Sequence, residues 1–385
     1  MTEQYRPQVD HQVLLQKVRV ALGDSGAQLG SPWTMRPATG GAGASLGVYV
    51  VTGTARTRRG ITSWSLVLKI YGPVSDITVD TWDDPQREVL ACRSGLFSEL
   101  PEGMRAPRCI AVDEQGDGTI WIWLEHIVDA SPGPWSPDDH AAVASRLGRF
   151  NGVYLERVPT QRYPWLDHAG LLDLVESAGP AIASLRRLEG KDVHPLIRQF
   201  YAPTVVEMLL QLWEEREVFL EALHRLPQTL CHRDAHRRNL FHRTGHDGMK
   251  EMVAIDWALA ARGAIGEDLA GLVAGNLLLF EAGGMTLSRL DEMCFAAYLE
   301  GLRDAGWSGA PRHIRLGYTA SLVIQHTLGF NTRPALLLDN PATYPFVEQL
   351  VGRPVDEVVR AWADELWPFY LGLVQEAREL AYAGL

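Results

Sequence analysis

Long hydrophobic runs are missing from this chain. The longest, such as Leu277-Leu278-Leu279-Phe280, fall far short of the roughly 20 residues a membrane helix needs. No membrane partner is expected. Basic residues are in deficit: 36 Lys and Arg stand against 47 Asp and Glu, a net charge of −11. Nucleic-acid binding rests on neutralising phosphates with Lys and Arg, so that partner class is excluded too. Cysteine is sparse. Cys92, Cys109, Cys231 and Cys294 are scattered, with no pair at the spacing of a zinc knuckle or a redox dithiol. They read as reduced, partly buried packing residues. Met1 to Arg6 has no basic region leading into an apolar run, so no secretory signal and a cytoplasmic location are expected.

What is present is an ordinary globular composition, 46% hydrophobic and 22% charged, over 385 residues. That length suits two lobes. The first 125 or so residues alternate as strands do. Ser45 to Thr52 and Ser63 to Tyr71 flank the basic turn Arg56-Thr57-Arg58-Arg59-Gly60, which reads as a hairpin. Cys109 to Val112 and Thr119 to Leu124 form a second hairpin around Gln115-Gly116-Asp117-Gly118. Between them, Asp83 or Asp84 before Pro85 caps a helix expected to reach Phe97. Ser131-Pro132-Gly133-Pro134 is a linker signal, and helical periodicity dominates after it. Helices are expected from Ser136 to Tyr154 and near 193–226, 288–305, 312–330 and 355–382.

The chemistry concentrates in His232-Arg233-Asp234-Ala235-His236-Arg237-Arg238-Asn239, followed by Ile255-Asp256-Trp257. A carboxylate five residues before an amide, with a second carboxylate at the end of an apolar strand, is a set suited to phosphoryl transfer. One carboxylate orients the accepting hydroxyl, and an amide and a carboxylate hold magnesium. A zinc hydrolase is the alternative, because His232 and His236 flank Asp234 and His242 and His246 follow. That alternative leaves Asn239 and Asp256 unexplained and finds no distant third ligand.

A strand-rich lobe, a linker and a helical lobe carrying these carboxylates resemble the aminoglycoside phosphotransferase and choline kinase family. The matching residues run from about Gly40 to about Asp268. The resemblance implies an α+β, two-lobed, protein-kinase-like fold. Residues 1–126 would be the nucleotide-binding lobe. Residues 127–385 would be a helical lobe with a catalytic loop at 231–240, the metal-binding Asp256 and the acceptor pocket.

Roles follow from the same resemblance. Asp234 is the catalytic carboxylate, and Asn239 and Asp256 are the magnesium ligands. His232 and His236 brace the loop. Lys69 on a strand and Glu88 on the following helix grip the nucleotide phosphates. The loop Gly40-Gly41-Ala42-Gly43-Ala44-Ser45 approaches the phosphates, with Ser45 nearest. Glu125 and Ile127, in Leu124-Glu125-His126-Ile127, belong to a hinge whose backbone reads the purine edge, of ATP or GTP alike. Asp268 starts a helix as its N-cap and props the loop, with Glu267 a less favoured substrate contact. Arg233, Arg237 and Arg238 read as a solvated basic face, and His242 and His246 as solvated loop residues.

The acceptor is expected to be a small-molecule hydroxyl, of an antibiotic or secondary metabolite of aminoglycoside, macrolide or nucleoside type. A metabolite kinase of choline, homoserine or sugar type is the alternative. The acidic run Trp213-Glu214-Glu215-Arg216-Glu217 leans toward a cationic acceptor, and twelve tryptophans lean toward a ring-bearing one. A retired, nucleotide-binding scaffold is the competing class, against which the intact Lys69, Asp234, Asn239 and Asp256 speak. The chain is expected to act as a monomer or homodimer.

Overall fold

The computed structural model of the chain describes residues 7–38, 45–73, 86–167, 170–188, 193–244, 250–338 and 340–383. The glycine-rich residues Gly40, Gly41 and Gly43, the capping candidates Asp83 and Asp84, and His246 lie outside the described residues. The chain packs as two compact units. One holds the residues up to Ala130 together with Phe241–Ala258; the other holds Ser131–Leu240 and the residues from Leu259 onward. This differs from a single division at 126/127, because a late strand pairs back onto an early one.

In chain order the strands are β1 (Gln28–Leu29), β2 (Thr34–Pro37), β3 (Ser45–Thr57), β4 (Gly60–Tyr71), β5 (Met104–Arg105), β6 (Cys109–Glu114), β7 (Ile120–Glu125), β8 (Gln228–Cys231), β9 (Leu240–Thr244), β10 (Lys250–Ala254) and β11 (Ala261–Ala264). In the first unit a six-stranded antiparallel sheet runs β1-β3-β4-β7-β6, with β2 also on β3. The β3–β4 hairpin is longer than its apolar pattern suggests, and turns through Arg58 and Arg59 with Gly60 at φ 110°. That φ is one only glycine takes freely.

Strand periodicity of two sorts the side chains of β4. Trp64, Leu66, Leu68 and Ile70 enter one core with Val51, Trp121 and Trp123, covered by Leu14 and Val18 of the helix His11–Leu22. The other face carries Val67, Lys69 and Tyr71. There Tyr71, Ile120, Ile122 and Leu124 pack with Val89 of the helix Gln86–Ser94. Each buried aliphatic or aromatic side chain is worth about 1.5–3 kcal/mol. A one-residue slip would send the Trp64–Ile70 set to the wrong face, so this register is strongly selected.

Late in the chain, β10 adds to β5 in parallel, with Met252 opposite Met104 and Val253 opposite Arg105. The helix Gln86–Ser94 ends earlier than the expected Phe97. Gly95 takes φ 86° and a short 3-10 turn, Leu96–Ser98, follows.

The second unit is mainly helical. Ser136 starts the helix Pro137–Val153 with a capping box to Asp139, as its sequence suggests. That helix crosses Leu287–Asp304 at backbone contact. A methyl group on Gly301 would lie 1.8 Å from the Ser145 carbonyl oxygen, and one on Gly148 would lie 2.1 Å from that of Tyr298. The expected helix near 193–226 is two, Pro195–Phe200 and Pro203–Arg225. Pro203 cannot donate to a preceding turn, so it begins a helix instead of continuing one. The region 312–330 is α-helical only over Pro311–Ser321 and continues as a π-helix, Leu322–Phe330. In the region 355–382 a π-helical turn, Trp362–Leu366, precedes Pro368, whose missing N–H breaks the regular ladder.

Gly301→Ala should force the two crossing helices apart. The expected cost is roughly 1–3 kcal/mol or more, read as a lower urea midpoint with the slope unchanged.

Candidate active site

The residues singled out from sequence fall into two groups, one in each unit. In the first unit, Lys69 stands opposite Val48 on β3 and Ile122 on β7, near the end of β4. Its Nζ lies 2.7 Å from Glu88 Oε2 and 2.7 Å from Asp256 Oδ1. Asp256 reaches it from the end of β10 in a left-handed conformation, φ 60°, which is uncommon for a non-glycine residue. Trp257 beside it is buried against Phe97, with its indole N–H on the Ala254 carbonyl, 2.8 Å.

Glu88 takes a second partner that sequence reasoning missed, the Tyr71 hydroxyl, which donates to the same Oε2. Burial alone would push the Lys69 ammonium down. The charges of Asp256 and Glu88 outweigh it and hold Lys69 well above its ordinary value. Burial and the Glu88 carboxylate push Tyr71 well up. Lys69 therefore stays a cation and Tyr71 stays a donor across the working pH range.

Ser45 begins β3 opposite Tyr71, beside a bulge, and so lies near the Lys69 end of the sheet. Glu125 ends β7 with its side chain committed. Its carboxylate accepts from Arg105 (3.0 Å), Arg243 (2.7 Å) and the Arg108 N–H (3.1 Å). Among the described residues no partner is seen for the Ile127 N–H. His242 is buried on β9, with its N–H on Asp129 Oδ1 at 3.1 Å, which corrects its reading as solvated.

In the second unit, β8 pairs with β11 and ends at Cys231, and the loop 232–239 follows. Asp268 holds the start of that loop. Its Oδ1 accepts the Arg233 N–H (2.7 Å), and its Oδ2 accepts the His232 N–H (3.1 Å) and the Asn151 amide (2.9 Å). It is fully buried. It is not the N-cap of its helix, as expected from sequence. Gly266, at φ 95°, is the cap, and Asp268 is the second residue of Glu267–Leu278. A carboxylate two residues inside the first turn can face the loop and still meet the favourable end of the helix dipole.

Arg233 has φ 66°, a strained conformation held from both sides. Asp268 takes its N–H, and the Gln325 amide donates to its carbonyl, 2.8 Å. Gln325 lies in the π-helix Leu322–Phe330, and no sequence motif marks it.

The two histidines close the loop on itself. His232 Nδ1 accepts the Asp234 N–H (3.3 Å), and His236 Nδ1 accepts the Arg238 N–H (3.2 Å). With Nδ1 accepting, Nε2 is the nitrogen that carries a proton, and His236 Nε2 lies 3.3 Å from Asp234 Oδ1. Gly275 makes room for this histidine, since a methyl group there would sit 2.7 Å from its Cβ. Asp234 is half-buried. Burial would raise its carboxyl, but His236, His232 and the Asn239 amide outweigh it and bring it down to about 2.

The arginines are not a solvated face. Arg233 and Arg237 are buried, Arg233 against Glu267 and Arg237 onto the Ser131 and Gly133 carbonyls. Arg238 pairs with Glu281. Glu267, buried and engaged this way, is no substrate contact. The acidic run on Pro203–Arg225 spends Glu214 on Arg186 and Glu215 on Arg378, so it gives no support to a cationic acceptor.

Each unit offers an oxygen of the kind that magnesium takes. Asn239 Nδ2 faces two acceptors, Asp234 Oδ2 (2.6 Å) and the Asp234 carbonyl (3.0 Å). This assigns its NH₂ side and leaves Oδ1, a hard oxygen, without a partner among the described residues. Asp256 keeps Oδ2 without a partner among the described residues, on a side chain 40% exposed. No group of three His, Cys, Asp or Glu gathers as a metal site among the described residues, so the zinc alternative finds no donor set there.

A curled antiparallel sheet followed by a largely helical remainder is the architecture of kinase-like phosphotransferases. The chain belongs to the phosphotransferase enzyme family, whose sequence profile matches residues 37–309. It is thus a phosphotransferase of the small-molecule kinase class. No curated protein sequence matches it. Similar solved structures include an aminoglycoside phosphotransferase from Alicyclobacillus acidocaldarius subsp. acidocaldarius DSM 446. It is 15% identical over 98% of this chain and 99% of that chain, with a TM-score of 0.57. A choline kinase from Cryptosporidium parvum Iowa II is 12% identical over 96% and 97%, TM-score 0.55. Spectinomycin phosphotransferase APH(9)-Ia, in complex with ADP and spectinomycin, is 14% identical over 92% and 98%, TM-score 0.52. These likenesses carry the fold.

The Asp234 carboxyl is lower in the folded chain than in the unfolded one, so its contribution to stability is full above the ordinary carboxylate range. It fades as pH falls toward 2. Urea titrations from pH 7 downward should therefore find Asp234→Asn less stable than the parent at neutral pH, with the gap closing below pH 4. A gap independent of pH would contradict the assigned charge state.

Proposed function

We propose that this protein is a magnesium-dependent kinase that moves the γ-phosphate of ATP to a hydroxyl of a small molecule. The observation that carries the reading is the buried Lys69–Glu88 pair with Asp256 on the same ammonium, in a chain of the phosphotransferase family. ADP in the spectinomycin phosphotransferase supports an adenine nucleotide. The Ile127 N–H, free among the described residues, is suited to a purine edge, and GTP could use it equally.

Lys69 in this reading grips the nucleotide phosphates, and Glu88, steadied by Tyr71, keeps the ammonium in place. Asn239 Oδ1 and the Asp256 carboxylate would hold magnesium. The ion would shield the charge on the phosphates and on the transferring group. Asp234 accepts the hydrogen bond of the acceptor hydroxyl. At about 2, its carboxyl is a poor base for early proton removal. A loose phosphoryl-transfer transition state needs little early deprotonation, so Asp234 orients the hydroxyl and takes its proton late. Asp268, His232 and His236 hold the loop that presents it.

For the acceptor we favour a hydroxyl of an antibiotic or other secondary metabolite, following the aminoglycoside and spectinomycin phosphotransferases. The choline kinase, nearly as similar in fold, keeps a choline-, homoserine- or sugar-type metabolite as the second reading. A panel of such alcohols with ATP and magnesium, read by mass spectrometry for the gain of one phosphate, separates the two. No phosphorylated product, and no ATP turnover, would leave a nucleotide-binding scaffold in their place.

Two substitutions test the roles. Asp234→Asn should lower kcat by roughly 10²–10⁴ with the KM for ATP little changed. Lys69→Met should raise the KM for ATP roughly tenfold or more, about 1.4 kcal/mol of lost binding. Steady-state kinetics with saturating acceptor would reverse the assignment if the two effects were exchanged.

A further inference from the structure

Two of the four cysteines, far apart in sequence and at no recognised spacing, meet in the first unit. Cys92 lies on the helix Gln86–Ser94, and Cys109 is the first residue of β6, opposite Leu124 of β7. Both pack at the edge of the cluster formed by Tyr71, Val89, Ile120, Ile122 and Leu124. Each thiol is the first influence on the other's acidity, and both residues keep partial exposure. The other two cysteines are buried apart from them, Cys231 with its S–H on the Ala264 carbonyl at 3.7 Å.

We propose that Cys92 and Cys109 are a redox-modification site, a dithiol that a peroxide oxidises to a disulfide joining the helix to β6. Two thiols packed against one cluster need only a short approach to bond, and partial exposure admits a small oxidant. The roles within the pair are unequal. The interaction between the thiols, with burial, raises Cys92; the same interaction, with the Ala111 N–H and the Arg93 charge, lowers Cys109 against its burial. Cys109 is therefore the thiolate that reacts first, and Cys92 is the resolving thiol.

The Cys109 sulfur attacks one peroxide oxygen, the O–O bond breaks, and the departing hydroxide leaves as water with the proton lost from Cys109. The Cys92 sulfur then attacks the sulfenic sulfur, and the S–O bond breaks. The leaving hydroxide takes the Cys92 proton as a second water. Two thiols lose two protons and two electrons, and one hydrogen peroxide takes them up to become two waters.

The site has a consequence through its neighbour. Glu88 lies one helical turn before Cys92, on the helix that the disulfide would tie down. On the reading that Lys69 and Glu88 grip the nucleotide, oxidation changes the KM for ATP, by roughly threefold or more. The disulfide itself does not depend on that reading.

The test exposes the reduced, full-length protein to limiting hydrogen peroxide and maps its peptides by mass spectrometry. The expected product is a linked peptide containing Cys92 and Cys109, two hydrogens lighter than the reduced pair and restored by dithiothreitol. In Cys92→Ser, Cys109 should be trapped as a sulfenic acid that dimedone labels. In Cys109→Ser, Cys92 should stay unlabelled at the same dose. Failure to form the linked peptide, or linkage instead to Cys231, Cys294 or a second chain, overturns the proposal. A linked peptide with an unchanged KM for ATP overturns the control of nucleotide binding alone. Lys69→Met should still form the peptide, so failure of the nucleotide reading and failure of the disulfide are told apart.

Discussion

An ionised carboxylate withdrawn from water has to be matched by donors on nearly every lone pair, and Asp268 is where the second unit meets that demand. Its oxygens take the N–H groups of His232 and Arg233 and the amide of Asn151. Asn151 in turn ties the Leu230 carbonyl and the Tyr298 hydroxyl. One buried charge thereby joins the helices Pro137–Val153, Leu287–Asp304 and Glu267–Leu278 to the end of β8. Breaking any member would strand a buried polar partner, which is costlier than the bond is favourable. The strain at Arg233 persists because this network and Gln325 over-determine it, and Asp234 is presented by the residue next in line.

Burial acts on each ionisable group near the loops in the same sense, against charge, yet the outcomes differ with the partners supplied. Lys69 keeps its proton because two carboxylates touch it. Asp234 keeps its charge because two histidines and an amide surround it. His326, buried and within the field of Asp234 and His236, is driven down to about 4 by burial and remains neutral. A phosphotransferase needs such states set before substrate arrives, since positioning and fixed electrostatics supply most of its rate. The protein sets them with neighbours and not with exposure to water.

Much of this could be read along the chain. The alternation of β4 placed Lys69 on the face opposite Trp64 and Leu66, and the apolar run ending at Asp256 marked a buried strand. The motif from His232 to Asn239 marked a loop, because charged and amide residues at those intervals follow from local turn chemistry. Other parts misled. Arg233, Arg237 and Arg238 look like a solvated face, but their guanidinium groups meet Glu267, the Ser131 and Gly133 carbonyls and Glu281. Each of those partners is distant in sequence or unmarked by any motif. The acidic run near Glu214 resembled a cation site only while Arg186 and Arg378 were out of view. Asp268 passed for a cap because spacing cannot distinguish the residue before a helix from one in its first turn.

The sequence by itself determined which residues alternate, where helices could begin, and which oxygen and nitrogen groups were available for chemistry, because these depend on neighbours a few positions apart. It did not determine which of those groups would be charged, free or spent. Tyr71 on Glu88, Gln325 on Arg233, Asn239 turned so that its oxygen is left over, and Cys92 against Cys109 each join positions set together only when strands pair and helices pack. Pairing β10 back onto β5 likewise moved Asp256 into the first unit, beside Lys69. Burial and contact are properties of the folded chain, and the chemical state of a side chain depends on both.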